Sequence, residues 1–341
     1  MKVGTRLGAA LLACLLLASV LSGCGSGGTA AGDSEYEPVN LAMAVNGTDN
    51  QIDSLVANHF AEMVMERSGG AVVVDVFPND TLAGGNATKG IEYIAVGGSD
   101  LGAYATSVLS NLEPKMSVAT IPWSFTSYQQ AREIIDTTGG EYYAKLLADK
   151  GITYLGSFHN GFRQLTNSKR AVTKPEDLKG LKIRVPGSAV YMNTFDALGA
   201  NPTAMSWSEV FTAIQQGTID GQENGCSITK SAKMDEIQKY MTIWNYSYEN
   251  DLFLVNTKIW ESLPENTRQL LQECATEACD WGRDKLEADE QALIEGFREV
   301  GMQVDVLTEE QLAVFQEQVA DVVSELKETY GPEACAAFGL D

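Results

Sequence analysis

Between Pro264 and Val300 the chain has no internal proline, and only Gly282 and Gly296 weaken its helical character. About 35 residues at ~1.5 Å each would form a helix of roughly 50 Å. That is longer than one small domain is wide. A helix of this length without stop signals is either a coiled coil or a strut lying across two bodies. Its heptad patterning is poor, which favours the strut, with a kink expected near Gly282.

Ahead of this helix, strand and helix signals alternate. Val39–Val45 reads as a strand, Ile52–Arg67 as a helix stopped by Gly69 and Gly70, and Ala71–Phe77 as a β-branched strand ending at Pro78. Asn86–Val96 reads as a helix and Asp100–Ala105 as a strand. Tyr128–Ile135 and Glu141–Lys150 read as helices separated at Gly139 and Gly140, and Ile152–Phe158 as the next strand. Further on, Thr173-Lys174-Pro175-Glu176 and Ser206-Trp207-Ser208-Glu209 have the form of capping boxes. Between them, Leu181–Val185 reads as a strand stopped by Pro186, and Ser188 as the cap of a helix ending at Gly199. Such alternation specifies an α/β fold with a largely parallel sheet.

The N-terminus bears on location. Lys2 and Arg6 precede an apolar run from Leu7 to Val20 that is too short to span a bilayer comfortably. Leu21-Ser22-Gly23-Cys24 then resembles a bacterial lipobox, in which Cys24 is lipidated; the alternative is an ordinary secretory signal cut at a small-residue site. Either one exports the protein. Residues 1–23 therefore read as a signal peptide and 24–38 as a flexible tether.

Removing Lys2 and Arg6 takes the basic residues from 24 to 22 against 46 acidic ones, in a chain whose formal net charge is -22. So acidic a surface excludes nucleic acid as the expected partner. No C-x-x-C pair occurs, so no metal site is expected. Cys226, Cys274, Cys279 and Cys335 remain after export, either as buried thiols or with Cys335 bridged to one of the other two on the long helix.

No catalytic constellation stands out. The chain has two histidines, with His59 in a helical pattern and His159 after a strand, where it either lines a site or is simply exposed. No G-x-S-x-G elbow, H-E-x-x-H helix or phosphate loop appears, and no cofactor is expected. Two arginines carry the chemistry instead. Arg163 follows a strand, and Arg184 sits near the end of its own strand. In open α/β sheets, ligands bind beyond the carboxyl ends of strands. In so acidic a chain either arginine alone could be a structural salt bridge, but both at strand ends point to an anion, which a guanidinium can grip with two parallel hydrogen bonds. Trp207 opens a helix, Tyr246 lies near a second crossover, and Asn224 ends the polar run Asp220-Gly221-Gln222-Glu223-Asn224. An asparagine can donate to and accept from a ligand.

Several motifs in register resemble the TRAP-transporter solute-binding proteins of the DctP type. They are Asn160-Gly161-Phe162-Arg163-Gln164, Pro175-Glu176-Asp177-Leu178-Lys179-Gly180-Leu181-Lys182-Ile183-Arg184-Val185-Pro186, Leu198-Gly199-Ala200-Asn201-Pro202-Thr203, Trp207-Ser208-Glu209-Val210 and Asp220 to Asn224. The resemblance runs from about Val39 to the C-terminus. It implies two α/β lobes with hinge strands and a long helix bracing both, as in a Venus flytrap. The lobes would be 39–160 plus 250–289, and 161–249 plus 290–341. It also implies a monomer that binds a small carboxylate, closes over it and passes it to a sodium-driven TRAP permease, touching the membrane through its N-terminal lipid alone. By resemblance Arg184 makes a bidentate salt bridge to the ligand carboxylate, Arg163 adds a second positive contact, Asn224 adds a hydrogen bond and Trp207 packs on the ligand.

The chain also departs from the family. Gly225-Cys226 follows Asn224 where proline is usual, which is expected to loosen the loop carrying Asn224. Tyr104-Ala105-Thr106-Ser107 lacks the acidic and basic residues of sialic-acid binders, which disfavours that ligand. The opposite wall is expected near Asp49, Asn86 and Thr106, whose polarity favours a uronate or aldonate over a C4-dicarboxylate or 2-oxo acid. A ligand sensor for a membrane kinase and an exported sugar-acid enzyme are the competing classes.

Overall fold

The computed structural model describes residues 35–340. The signal peptide, most of the tether and the lipid-attachment residue Cys24 lie outside the described residues. Ten strands are formed: β1 (Val39–Val45), β2 (Val72–Phe77), β3 (Leu101–Ala105), β4 (Ile152–Asn167), β5 (Lys182–Val185), β6 (Asn201–Ala204), β7 (Gly221–Gly225), β8 (Tyr240–Ile243), β9 (Tyr248–Asn256) and β10 (Gln303–Val306). The helices are α1 (Ile52–Arg67), α2 (Ala87–Val96), α3 (Thr106–Leu109), α4 (Tyr128–Ile134), α5 (Gly140–Ala148), α6 (Ala189–Ala197), α7 (Trp207–Gln215), α8 (Cys226–Ser231), α9 (Thr257–Ser262), α10 (Glu265–Glu299), α11 (Glu309–Gln318), α12 (Ala320–Tyr330) and α13 (Pro332–Ala337).

The strands lie in the order β2-β1-β3-β9-β4-β7-β5-β6, with β8 on β4 and β10 on β8. Parallel pairs occupy the two ends, β2-β1-β3 and β7-β5-β6. Between them, β9 and β4 run antiparallel to their neighbours and to each other. The fold is thus α/β and two-lobed, with two parallel half-sheets joined through a pair of long antiparallel strands. β4 carries that junction. Its residues from Ile152 to Phe162 pair with β9, and those from Arg163 to Asn167 pair with β7. The exchange follows a register shift between His159 and Gly161, where Gly161 takes a φ of 115° that side chains disfavour.

The expected strut is α10, unbroken over 35 residues. Its buried stripe, Leu270, Leu271, Cys274, Ala275, Ala278, Cys279, Leu286, recurs every three to four residues and packs in one core with Val56 and Phe60 of α1 and Phe253 of β9. Phe297, near its end, enters a different cluster with Cys226, Met241, Ile243 and Met302. One helix therefore serves two cores. Gly282 interrupts nothing; a Cβ there would lie 2.4 Å from Val56 Cγ2, so the glycine lets α1 approach.

Some local expectations need correction. β4 was expected to end at Phe158, which would have placed His159 and Arg163 beyond it; the strand runs on to Asn167 because its second half finds β7 and β8 as partners. The two expected helices form, but the break between them falls at Thr137 and not at Gly139 and Gly140. The chain passes from α4 to α5 through a π turn, Ile135–Gly139, in which Thr137 leaves helical geometry (φ −124°, ψ −110°). Gly139 there accommodates the Phe338 ring, 2.9 Å from where a Cβ would be. The first capping box forms around Asp177, not Glu176: its carboxylate accepts from the Thr173 and Lys174 amides. The second does not form, as Ser206 makes no side-chain cap. All four described cysteines are free and buried.

Replacing Gly282 with valine should cost about 1–3 kcal/mol, because the added side chain must displace Val56 in a packed core. Urea unfolding of the two proteins checks this; equal midpoints would show that α1 and α10 are not held in close contact.

Candidate functional site

The site lies where β4 changes partners. Arg163 is the first β4 residue paired with β7, and it is 2% exposed. Its guanidinium is not free. Nε lies 2.5 Å from Glu223 Oε2, Nη2 2.8 Å from Glu223 Oε1, and Nη1 3.3 Å from Glu249 Oε2. Its Cζ also sits 4.8 Å from the centre of the Tyr191 ring. Tyr246 Oη donates to Glu223 (2.6 Å) and Tyr191 Oη to Glu249 (2.8 Å). Thr106 Oγ1 (2.6 Å) and the Ser107 amide (3.0 Å) complete the shell of Glu249. Burial opposes the arginine's charge, but Glu223 outweighs it and holds the guanidinium well above its usual pKa.

Arg184 is placed differently. It is 4% exposed, Nε and Nη2 both donate to the Met205 carbonyl (2.9 and 2.7 Å), and it has no carboxylate partner among the described residues. Trp207 lies beneath it, with Cζ 5.3 Å from the ring centre. Burial pushes its pKa down to about 9. A guanidinium stays charged at neutral pH, so the site contains a desolvated cation with no counter-ion, an arrangement that costs several kcal/mol if left so (about 3–5).

Arg184, Arg163, Trp207 and Asn224 line one cavity together with Asn46, Gln51, Asp53, Asn160 and Asp251. Its volume, about 30 Å³, suits a water rather than an acid. A second cavity of about 230 Å³ adjoins it across Arg184 and Trp207. Asn224 is held in β7 opposite Gln164, not in a loosened loop. Gly225 is required there, since a Cβ would come within 2.7 Å of the Asn160 carbonyl.

The remaining expected residues are elsewhere. His159 is fully buried, bonded through Nδ1 to Tyr248 Oη (2.7 Å) and through Nε2 to Glu287 on α10 (3.1 Å). Burial, then Arg283 and Arg132, push its pKa down to about 2, so the ring is neutral and ties β4 to the strut. Asn86 is exposed and caps α2 through the Lys89 amide (2.9 Å). Asp49 is exposed in a turn and does not line the cavity. Thr106 and Tyr246 position Glu249 and Glu223 rather than lining the cavity. The residues that sequence reasoning missed are Gln51, Asp53, Asn160 and Asp251. The one signal in the sequence was the polar run Glu249-Asn250-Asp251 ahead of the apolar stretch Leu252–Val255 in β9. Among the described residues no His/Cys/Asp/Glu group could hold a metal ion, and no helix is long and apolar enough to cross a membrane.

Two outcomes follow from this geometry. Arg163→Ala should lower the stability of the ligand-free protein by about 3–5 kcal/mol in urea unfolding, because it leaves two buried carboxylates unpaired. The second concerns pH. Burial raises the carboxyl of Asp53 from 3.8 to about 7 and that of Asp80 to about 6. The folded protein therefore keeps protons that the unfolded chain releases near pH 4, and stability falls as pH rises through 4 to 7. Melting should occur at higher temperature at pH 5 than at pH 8, and Asp53→Asn should shrink that difference.

Comparison with known proteins agrees with this architecture. The family described as bacterial extracellular solute-binding protein, family 7 (DctP) matches residues 43–329. The chain is 32% identical over 290 residues to the 2,3-diketo-L-gulonate-binding periplasmic protein of Escherichia coli, covering 85% of this chain and 87% of that one. It is 30% identical over 283 residues to the C4-dicarboxylate-binding periplasmic protein of Rhodobacter capsulatus, covering 82% and 84%. The crystal structure of the sugar acid binding protein of Advenella mimigardefordensis in complex with galactonate superposes with a TM-score of 0.86 at 27% identity, covering 90% of this chain and 98% of that one. The chain belongs to family 7 of the bacterial extracellular solute-binding proteins, the DctP type that serves TRAP transporters, and is an extracytoplasmic binding protein rather than an enzyme.

Proposed function

We propose that the protein captures a small hydroxylated organic acid, of the uronate or aldonate class, and delivers it to a TRAP permease while tethered to the membrane by a lipid on Cys24. One observation carries the reading: Arg184 is a buried guanidinium without a carboxylate partner, on the wall of a cavity between the two half-sheets. A ligand carboxylate would supply the missing counter-ion with two charge-assisted hydrogen bonds. Arg163 would act beside it chiefly as a rigid support, since Glu223 and Glu249 already occupy its donors. Asn224 would bond the same carboxylate, and Trp207 would close the site from one face.

A cavity of about 30 Å³ must open to admit an acid, so capture would proceed by hinge opening and closure. The lobes would be 39–160 plus 250–289 and 161–249 plus 290–341, turning about β4 and β9 near the partner exchange at Phe162 and Arg163. The relatives are named for both a sugar-derived acid and a C4-dicarboxylate, so the shared feature is the carboxylate. The hydroxylated class is favoured by the polar opposite wall, Asn46, Gln51 and Asn160.

Replacing Arg184 with alanine should reduce affinity for the acid by at least 100-fold, since charged hydrogen bonds contribute about 1.5–3 kcal/mol each. Isothermal calorimetry with galactonate measures it. Undiminished affinity in a folded Arg184→Ala protein would remove Arg184 from this role.

A further inference from the structure

We propose that Asp53 and Asp251, with Gln51 and Asn160, form a clasp for the hydroxyl groups at the end of the ligand remote from its carboxylate, and that this clasp admits monoanionic polyhydroxy acids and rejects dicarboxylates. The inference rests on the reading that Arg184 takes the carboxylate, and it names the residues that select among acids.

The four residues line the same cavity as Arg184, Arg163 and Asn224. All are at least nine-tenths buried: Gln51 2%, Asp53 6%, Asn160 6% and Asp251 1% exposed. Backbone amides fix the Asp53 carboxyl, Gly47 N at 2.6 Å and Ser54 N at 2.9 Å. Asn160 Nδ2 fixes that of Asp251, at 3.1 and 3.3 Å. Neither carboxyl has a cationic partner among the described residues. Desolvation therefore raises both pKa values, that of Asp53 to about 7.

Two polar atoms of the clasp are left over. Gln51 Oε1 accepts from the Thr48 amide (2.8 Å), but its Nε2 has no partner. Asn160 gives Nδ2 to Asp251, but its Oδ1 has none. The free set is thus one amide donor, one amide acceptor and the spare lone pairs or protons of two carboxyls. A hydroxyl group both donates and accepts, so it can satisfy such a set, whereas a carboxylate only accepts.

Charge balance points the same way. Arg163 is already paired with two buried carboxylates, Glu223 and Glu249, so Arg184 is the cavity's one cation without a carboxylate partner among the described residues. One ligand carboxylate on Arg184 completes its pairing. A second carboxylate in this desolvated cleft would find no cation left to pair it, and as a pure acceptor it could not satisfy Asn160 Oδ1.

The test is calorimetric titration of the purified mature protein with galactonate and with succinate, together with thermal-shift panels of aldonates, uronates and dicarboxylates. The wild-type protein should bind galactonate or another member of the first two panels at least 100-fold more tightly than succinate. Asp251→Asn and Gln51→Glu should each cut that ratio at least tenfold; Gln51→Glu keeps the acceptor for the Thr48 amide and removes the donor, so it guards against a mere folding defect in the first. Stabilisation by dicarboxylates alone, or a ratio unchanged in both variants, overturns the clasp while leaving Arg184 in place. Failure of every acid to bind the wild-type protein, or full affinity in Arg184→Ala, overturns the carboxylate reading itself.

Discussion

The Arg163–Glu223–Glu249 cluster is the interaction on which the rest depends. It sits where β4 leaves β9 and joins β7, and its members come from all three strands: Arg163 from β4, Glu223 from β7 and Glu249 from β9. Charges this deep are costly unless every one is matched. Here the matching is dense, with Tyr246 on Glu223, and Tyr191, Thr106 and the Ser107 amide on Glu249. The cluster thereby fixes the register of the exchange and joins α3 and β9 to β7 and α6. Its main contribution is to define one arrangement of the two half-sheets rather than to add net stability.

Against that fixed cation, Arg184 has the opposite design. Its guanidinium is held by the Met205 carbonyl and the Trp207 face but lacks a counter-ion. Two arginines lining one cavity thus divide the work, one satisfied internally and one left for a partner. The strut adds the mechanical frame. α10 belongs to one core over most of its length and to another at Phe297, while His159 and Glu287 pin β4 to it beside the junction.

Much of this was legible before any coordinates. Gly69, Gly97, Gly199 and Gly217 end their elements as positive-φ residues, and the α1, α2, α6 and α7 segments followed from their glycine stops and apolar spacing. The length of α10 announced a two-bodied molecule. The cleft residues were legible on the Arg184 side because they fall in one continuous stretch of motifs. They were not legible on the Asp53 side, where Gln51, Asp53, Asn160 and Asp251 come from three distant segments that only the sheet order brings together. Asn86 and Asp49 looked equally polar in sequence, yet one caps a helix and the other faces solvent.

The sequence by itself determined the class of fold, the family and the identity of two arginines suited to an anion, because periodicity, caps and motif order are local properties. Only the tertiary structure decided which arginine is available. Both have the same side chain and both looked placed at strand ends; whether a carboxylate lies beside the guanidinium depends on Glu223 and Glu249, residues 60 and 86 positions beyond Arg163 in the chain. Long-range pairing sets that environment, and the desolvation it imposes separates a structural cation from a binding one.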